Sequence, residues 1–179
     1  MFTRTLLPMR LIPFLALLMP CFLSAQTPDD RGYIVQVGDP MPPFELTATD
    51  GTVYTNASVE GQVVVLQFTA SWCSVCRKEM PELETQVHQA FQGPDFLLLG
   101  VDLDEPLAKV EAFATQMGIS YPIAPDPAGS VFYSIAGPKS GVTRNVVLDR
   151  TGTIRFLTRL YDPEEFEAMI AAIEGLLAE

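Results

Sequence analysis

The 179-residue sequence predicts an α/β sandwich of three layers, α/β/α, with a central mixed β-sheet and an N-terminal β-hairpin. Three observations point there. Two apolar runs, QVVVLQF (62–68) and DFLLLGVDL (95–103), read as strands buried on both faces, the habit of sheets covered by helices. Helical periodicity fills the gaps that follow them. A later stretch, RNVVLDRTGTIRFLTRL (144–160), reads as two antiparallel strands followed by an amphipathic helix, so the chain runs hairpin, βαβ, then ββα.

The hairpin is expected in PPFELTATDGTVYTNASVEGQ, where apolar and polar residues alternate around Asp50-Gly51. From Ser74 to about Phe91, Met80, Leu83 and Val87 fall on one helical face, and Pro81 predicts a kink. EPLAKVEAFATQMG fits a second helix closed by Gly118. ISYPIAPDP gives a short strand and a proline-broken loop, and a short helix is expected at 130–135. The last two strands turn through Arg150-Thr151-Gly152, and PEEFEAMIAAIEGLLA closes the chain as a helix starting near Asp162.

The first thirty residues run from Arg4 and Arg10 through an apolar block to small and then polar residues, the order of a secretory signal. The block from Leu11 to Leu23 is short for a membrane span and carries Pro13 and Pro20, so cleavage after Ala25 is expected, with 26–33 a flexible mature N-terminus and 34–179 the folded domain. An exported, soluble, monomeric protein follows: periplasmic if bacterial, membrane-tethered should the segment stay uncleaved. Pro20 stands where a lipoprotein signal wants a small residue, which argues against lipidation of Cys21.

Removing that segment leaves 9 basic against 22 acidic side chains, a formal net charge of −13, the wrong sign for gripping a phosphate backbone; no nucleic-acid partner is expected. The acids are dispersed, with small clusters at DLDE (102–105) and DPEEFE (162–167) expected on loops and helix starts facing water.

Cys73 and Cys76 are then the only cysteines, spaced by two residues in a chain expected to meet oxidising surroundings. A bridge that closes so small a loop does little for stability, so the pair is chemical. A buried strand delivers Phe68, a turn follows through Ser71 and Trp72, and Cys73 opens the helix containing Cys76. Unpaired N–H groups at the helix start favour a thiolate at Cys73, and Cys76, one turn on, can resolve a mixed disulfide.

With VVVLQFTASWCSVCRKEMPELE, GDPMPPFELTATDG and VVLDRTGTI in view, the chain from about 34 to 178 resembles the thioredoxin-like superfamily, in particular the exported TlpA/ResA-type thiol-disulfide oxidoreductases. The resemblance implies a thioredoxin-like sandwich, Cys73 as attacking and Cys76 as resolving cysteine, and Trp72 as the aromatic bordering the site. It implies client proteins with thiols or disulfides, an upstream membrane electron donor or acceptor, no cofactor, and the reductant's direction of flow.

Three positions depart from that pattern. Gln67 stands where cytosolic thioredoxins hold a buried acid, and an amide cannot take the Cys76 proton; it is expected as a hydrogen-bonded residue just beyond the strand, leaving Glu79 as the nearest carboxylate in sequence. Ser74 and Val75 replace the usual dipeptide between the cysteines, which leaves the redox poise open. Thr143 occupies the place of the superfamily's cis-proline. A cis bond before a non-proline residue costs about 3 kcal/mol, so Val142–Thr143 is expected trans. The Thr143 hydroxyl is placed to reach the thiolate and Arg144 to supply a cation beside it, or both are plain strand-edge residues.

Two rival functions remain. A peroxiredoxin-type peroxidase would want a threonine three residues before its cysteine, where Ala70 stands. A metallochaperone could hold Cu(I) or Zn(II) on the pair, but two thiolates leave a zinc tetrahedron half empty and His88 lies several turns away. Covalent c-type haem is excluded because Arg77 stands where histidine is required. Asn56-Ala57-Ser58 matches a glycosylation sequon, which matters only in a eukaryotic secretory chain.

Overall fold

The computed structural model describes residues 31–179, so the expected signal segment and Cys21 lie outside the described residues. Strands β1 (Glu45–Thr47) and β2 (Val53–Thr55) form the antiparallel hairpin around Asp50-Gly51. Gly51 takes φ +84° there, and Asp50 Oδ1 accepts from the Thr52 amide at 2.8 Å, the side-chain turn that aspartate favours.

Five strands make the central sheet: β3 (Val63–Thr69), β4 (Phe96–Leu103), β5 (Ile123–Asp126), β6 (Arg144–Leu148) and β7 (Ile154–Leu157), in the order β5-β4-β3-β6-β7. The sheet is mixed: β3 runs parallel to β4 and antiparallel to β6. β3 is buried along its whole length, which is why it reads as a continuous apolar run rather than an alternating one.

The two faces are covered unequally. Val63 and Val65 pack with Leu83, Val87, Phe166, Met169 and Ile173, so the layer on that face is built from α1 (Ser74–Glu82) with its continuation and α4 (Pro163–Leu177). Helix α2 (Leu107–Met117) joins the same layer through Val110 and Phe113 against Met80 and Ile123. It ends at Gly118, whose φ of +65° is the left-handed stop expected of glycine there. On the opposite face Val64, Leu66 and Phe68 pack with Phe44 and Leu46 from the hairpin side and with Phe132 and Ile135 of the one-turn helix α3 (Phe132–Ile135).

Where Pro81 predicts a kink, the helix instead widens: α1 is followed directly by a π-helical segment, Leu83–His88, with Gln89 N donating to Glu84 O at 3.0 Å. Proline lacks an N–H and crowds the carbonyl four residues back, and a change of hydrogen-bond register absorbs this while Leu83 and Val87 stay buried. Asp162 caps α4 as expected, accepting from Glu165 N at 3.0 Å with Pro163 at the first helical position.

Two expectations need correction. Residues 31–33, expected in a flexible stretch, are packed: Tyr33 is buried and bridges to Ala136, its hydroxyl donates to Thr158 O at 2.6 Å, and Arg31 pairs with Glu165. The DLDE cluster does not face water as a whole, because Asp102 and Glu105 are buried and only Asp104 is exposed. Asp102 belongs to β4, where alternation turns it inward beside the turn preceding α1. At the far end of the sheet, Arg150 Nη2 donates to Leu177 O at 3.4 Å, holding the end of α4 beside the β6–β7 turn.

Candidate active site

β3 ends at Thr69, and Cys73 N donating to Ala70 O at 3.0 Å closes the turn that leads into α1. Cys73 is the N-cap of α1: its φ and ψ of −85° and 108° are extended, and its Sγ accepts from Cys76 N at 3.1 Å. Sulfur thus takes the place that serine or aspartate usually fills, satisfying a donor that the helix leaves without an internal partner. Cys73 and Cys76 are joined as a disulfide, with Cα atoms 5.3 Å apart. Cys73 is 7% exposed and Cys76 fully buried, whereas Trp72 is 63% exposed beside them. Of the two, Cys73 is the less deeply buried.

The turn is held from both sides. Glu105 accepts from Ser71 N at 2.6 Å and Ser71 Oγ at 2.8 Å, while Arg77 Nε donates to Ser71 O at 2.9 Å. Arg77 also lies 4.9 Å over the Phe113 ring and donates to Gln116 Oε1, tying α1 to α2. Burial works against the Glu105 charge, but Lys109 and the Ser71 donors hold its carboxyl below the usual range. Asp102, beside it, has both carboxyl oxygens buried without a hydrogen-bond partner; burial, and next the Glu105 charge, push its pKa up to about 8.

Thr143 closes the site from the sheet. The Val142–Thr143 bond is cis, not trans as expected. The bond's intrinsic preference is trans, and the surroundings hold it otherwise: Val142 and Thr143 are both buried and Leu160 N donates to Thr143 O at 3.0 Å. Thr143 Oγ1 lies 3.3 Å from Cys73 Sγ and 3.0 Å from Cys76 Sγ.

Of the two readings of Arg144, a cation beside the thiolate or a strand-edge residue, the contacts found are those of a residue opening β6. It is fully buried: Nε donates to Gly141 O at 3.1 Å, Nη2 to Arg31 O at 2.7 Å, and the guanidinium sits 4.3 Å over the Tyr33 ring. It pins the loop before Thr143 to the N-terminal segment. Ser74 is exposed and Val75 half-buried in the first turn of α1, and Val75 packs against the core.

Behind the pair lies a polar cluster. Gln67 sits within β3 rather than just beyond it, opposite Asn145 of β6, and its Oε1 accepts from Tyr121 Oη at 2.8 Å. Asn145 Nδ2 donates to Glu79 Oε1 at 2.7 Å. Glu79, three residues after Cys76 on the same helix face, is buried; desolvation pushes its pKa up to about 7 against the Asn145 and Gln67 amides, which favour the carboxylate. Glu105, Asn145 and Tyr121 are the site residues that sequence reasoning missed. His88 packs against Tyr121, ring centroids 5.8 Å apart, and no cluster of three metal-ligating side chains occurs among the described residues.

Residues 36–176 match the Redoxin family. The thiol-disulfide oxidoreductase ResA of Geobacillus kaustophilus is 28% identical over 143 residues, 78% of this chain and 79% of that protein. Among solved structures, a Bacteroides thetaiotaomicron protein proposed to be a protein disulfide isomerase superimposes with a TM-score of 0.80 at 49% identity, covering 83% of this chain and 94% of that one. A Chlorobium tepidum protein proposed to be the thiol:disulfide interchange protein DsbE gives 0.70 at 28% identity over 80% of this chain and 99% of that one.

Proposed function

Since the chain belongs to the Redoxin family and is a thiol-disulfide oxidoreductase of the thioredoxin-like TlpA/ResA type, we propose that it exchanges its Cys73–Cys76 dithiol and disulfide with client proteins, acting as a reductant. The observation that carries this reading is the unequal exposure of two cysteines bonded at the start of one helix. In the reduced enzyme the Cys73 thiolate attacks a client disulfide. A Cys73–client bond forms, the client's second sulfur leaves with the electron pair, and water protonates it. Cys76 then loses its proton and attacks Cys73, and the client's first sulfur leaves as the second thiol. Two electrons pass to the client, and a dithiol donor must return them.

Glu79 is the proton acceptor for Cys76 in this scheme: buried one turn away and poised near neutrality, it does what Gln67 cannot. The N-terminal residue order supports export, with residues 1–25 removed as a signal peptide and the folded domain following, and a membrane-bound donor then suits an enzyme working outside the cytosol. Exposed Trp72 borders the entrance where a client would lie.

The test is Cys76→Ser in the full-length protein expressed in a bacterial host. With no resolving thiol, Cys73 should accumulate as mixed disulfides, seen on non-reducing gels and lost on adding a thiol reductant. Absence of any trapped thiol partner, with Cys73 titratable, would sink the exchange reading.

A further inference from the structure

Thr143 Oγ1 is within hydrogen-bond distance of both sulfurs, at 3.3 and 3.0 Å, and no other side-chain hydroxyl among the described residues makes such a contact. Its backbone is anchored. The residue is fully buried, and its carbonyl is held by the Leu160 amide at 3.0 Å and by Arg159 Nη1 at 3.4 Å. In the disulfide form the three atoms carry one hydrogen between them, so the hydroxyl can donate to one sulfur only. Reduction changes this count. Cys76 gains an S–H donor, Cys73 becomes a charged acceptor, and a hydroxyl that both donates and accepts can satisfy both contacts at once.

We propose that the Thr143 hydroxyl is a catalytic residue of the reduced enzyme, accepting the Cys76 S–H and donating its own proton to the Cys73 thiolate. The inference rests on the exchange reading above and adds to it the group that sets thiolate stability. The thiolate then has two donors: the Cys76 backbone N–H, at 3.1 Å in the oxidised protein, and the hydroxyl. Bonds to the charged acceptor are the stronger kind, and both favour the reduced state, so Thr143 makes the pair more oxidising than the helix start alone would. When Cys76 attacks, its S–H bond breaks and the proton leaves through a water for the carboxylate at Glu79, which the structure does not place in direct contact with Cys76. The hydroxyl keeps its own proton and is the same species before and after turnover.

The experiment compares the wild-type protein with Thr143→Val, which keeps the shape and removes the hydroxyl, and Thr143→Ser, which keeps the hydroxyl. Cys73 acidity is followed by ultraviolet thiolate absorbance, and the dithiol–disulfide equilibrium is measured in thiol redox buffers. In T143V, Cys73 should titrate about one pH unit higher. The equilibrium should move about tenfold toward the disulfide, about 30 mV more negative for a two-electron couple. T143S should stay within about twofold of wild type. T143V matching wild type, or T143S shifting as far as T143V, overturns the proposal. Should T143V fail to fold, the NMR shift of the Thr143 β-carbon in the wild-type protein decides: it must titrate together with Cys73, and an invariant shift overturns the proposal. Failure of the wild-type protein to reduce any disulfide would instead count against exchange, leaving the acidity comparison to judge Thr143.

Discussion

Ser71 gives both of its hydrogen-bond donors to one carboxylate, that of Glu105, at 2.6 and 2.8 Å across 34 positions of sequence. The turn that presents Cys73 is therefore tied to the start of α2 by bonds to a charged acceptor. Glu105→Gln removes the charge and the Lys109 pair. We expect a loss of about 2 kcal/mol in urea unfolding and faster alkylation of reduced Cys76 as the turn loosens. Unchanged stability would mean that Arg77 alone holds the turn.

Asp102 makes the protein's stability depend on pH in a direction opposite to that of a salt-bridged acid. Its pKa is raised from 3.8 when unfolded to about 8 when folded. The folded state therefore holds a proton that the unfolded chain releases, and stability falls as pH rises from about 4 to about 8. Glu79, raised to about 7, adds to the same trend over a narrower window. Asp102→Asn should flatten the fall and raise the urea midpoint at pH 8. Parallel wild-type and variant profiles would refute the assignment.

Glu79→Gln tests the proton route from Cys76. Wild-type single-turnover disulfide reduction should speed up as pH rises through about 7, where Glu79 ionises. The variant should be slower, by up to about 100-fold, and should lack that step, while Cys73 alkylation keeps its wild-type rate. A retained step near neutrality would assign it to another group.

Arg144→Met keeps the bulk and removes the bonds to Arg31 O and Gly141 O and the stacking on Tyr33. We expect a loss of about 2 kcal/mol in thermal unfolding and earlier proteolytic cleavage near residue 31. Cleavage at the wild-type rate would show that Tyr33 holds the segment without help.

The sheet, the hairpin and the Cys73–Cys76 pair were legible because their signals are local: apolar runs, Asp-Gly, and cysteines spaced by one helical turn after a strand. Thr143 stands out in the sequence as the residue in the cis-proline's place, but its contact with both sulfurs depends on how β6 docks on β3, which no local pattern records. Arg144 reads in the sequence either as a cation beside the thiolate or as a strand-edge residue, and its stacking on Tyr33 depends on a contact 111 positions away that no local pattern records. Asp102 was misread because acids usually face water. The alternation of β4, with Val101 and Leu103 packed on one face and Asp102 between them, was the available signal that it points into the opposite layer.

The end of α4 rests beside the β6–β7 turn, while Thr143 and the cysteines sit at the other end of β6, next to the segment held by Arg144. A biotin or affinity handle fixed after Glu179 would anchor the molecule on a sensor chip with its redox end pointing into the flowing solution. A handle placed just ahead of Arg31 would crowd that end, so the choice of immobilisation point decides whether client capture can be measured.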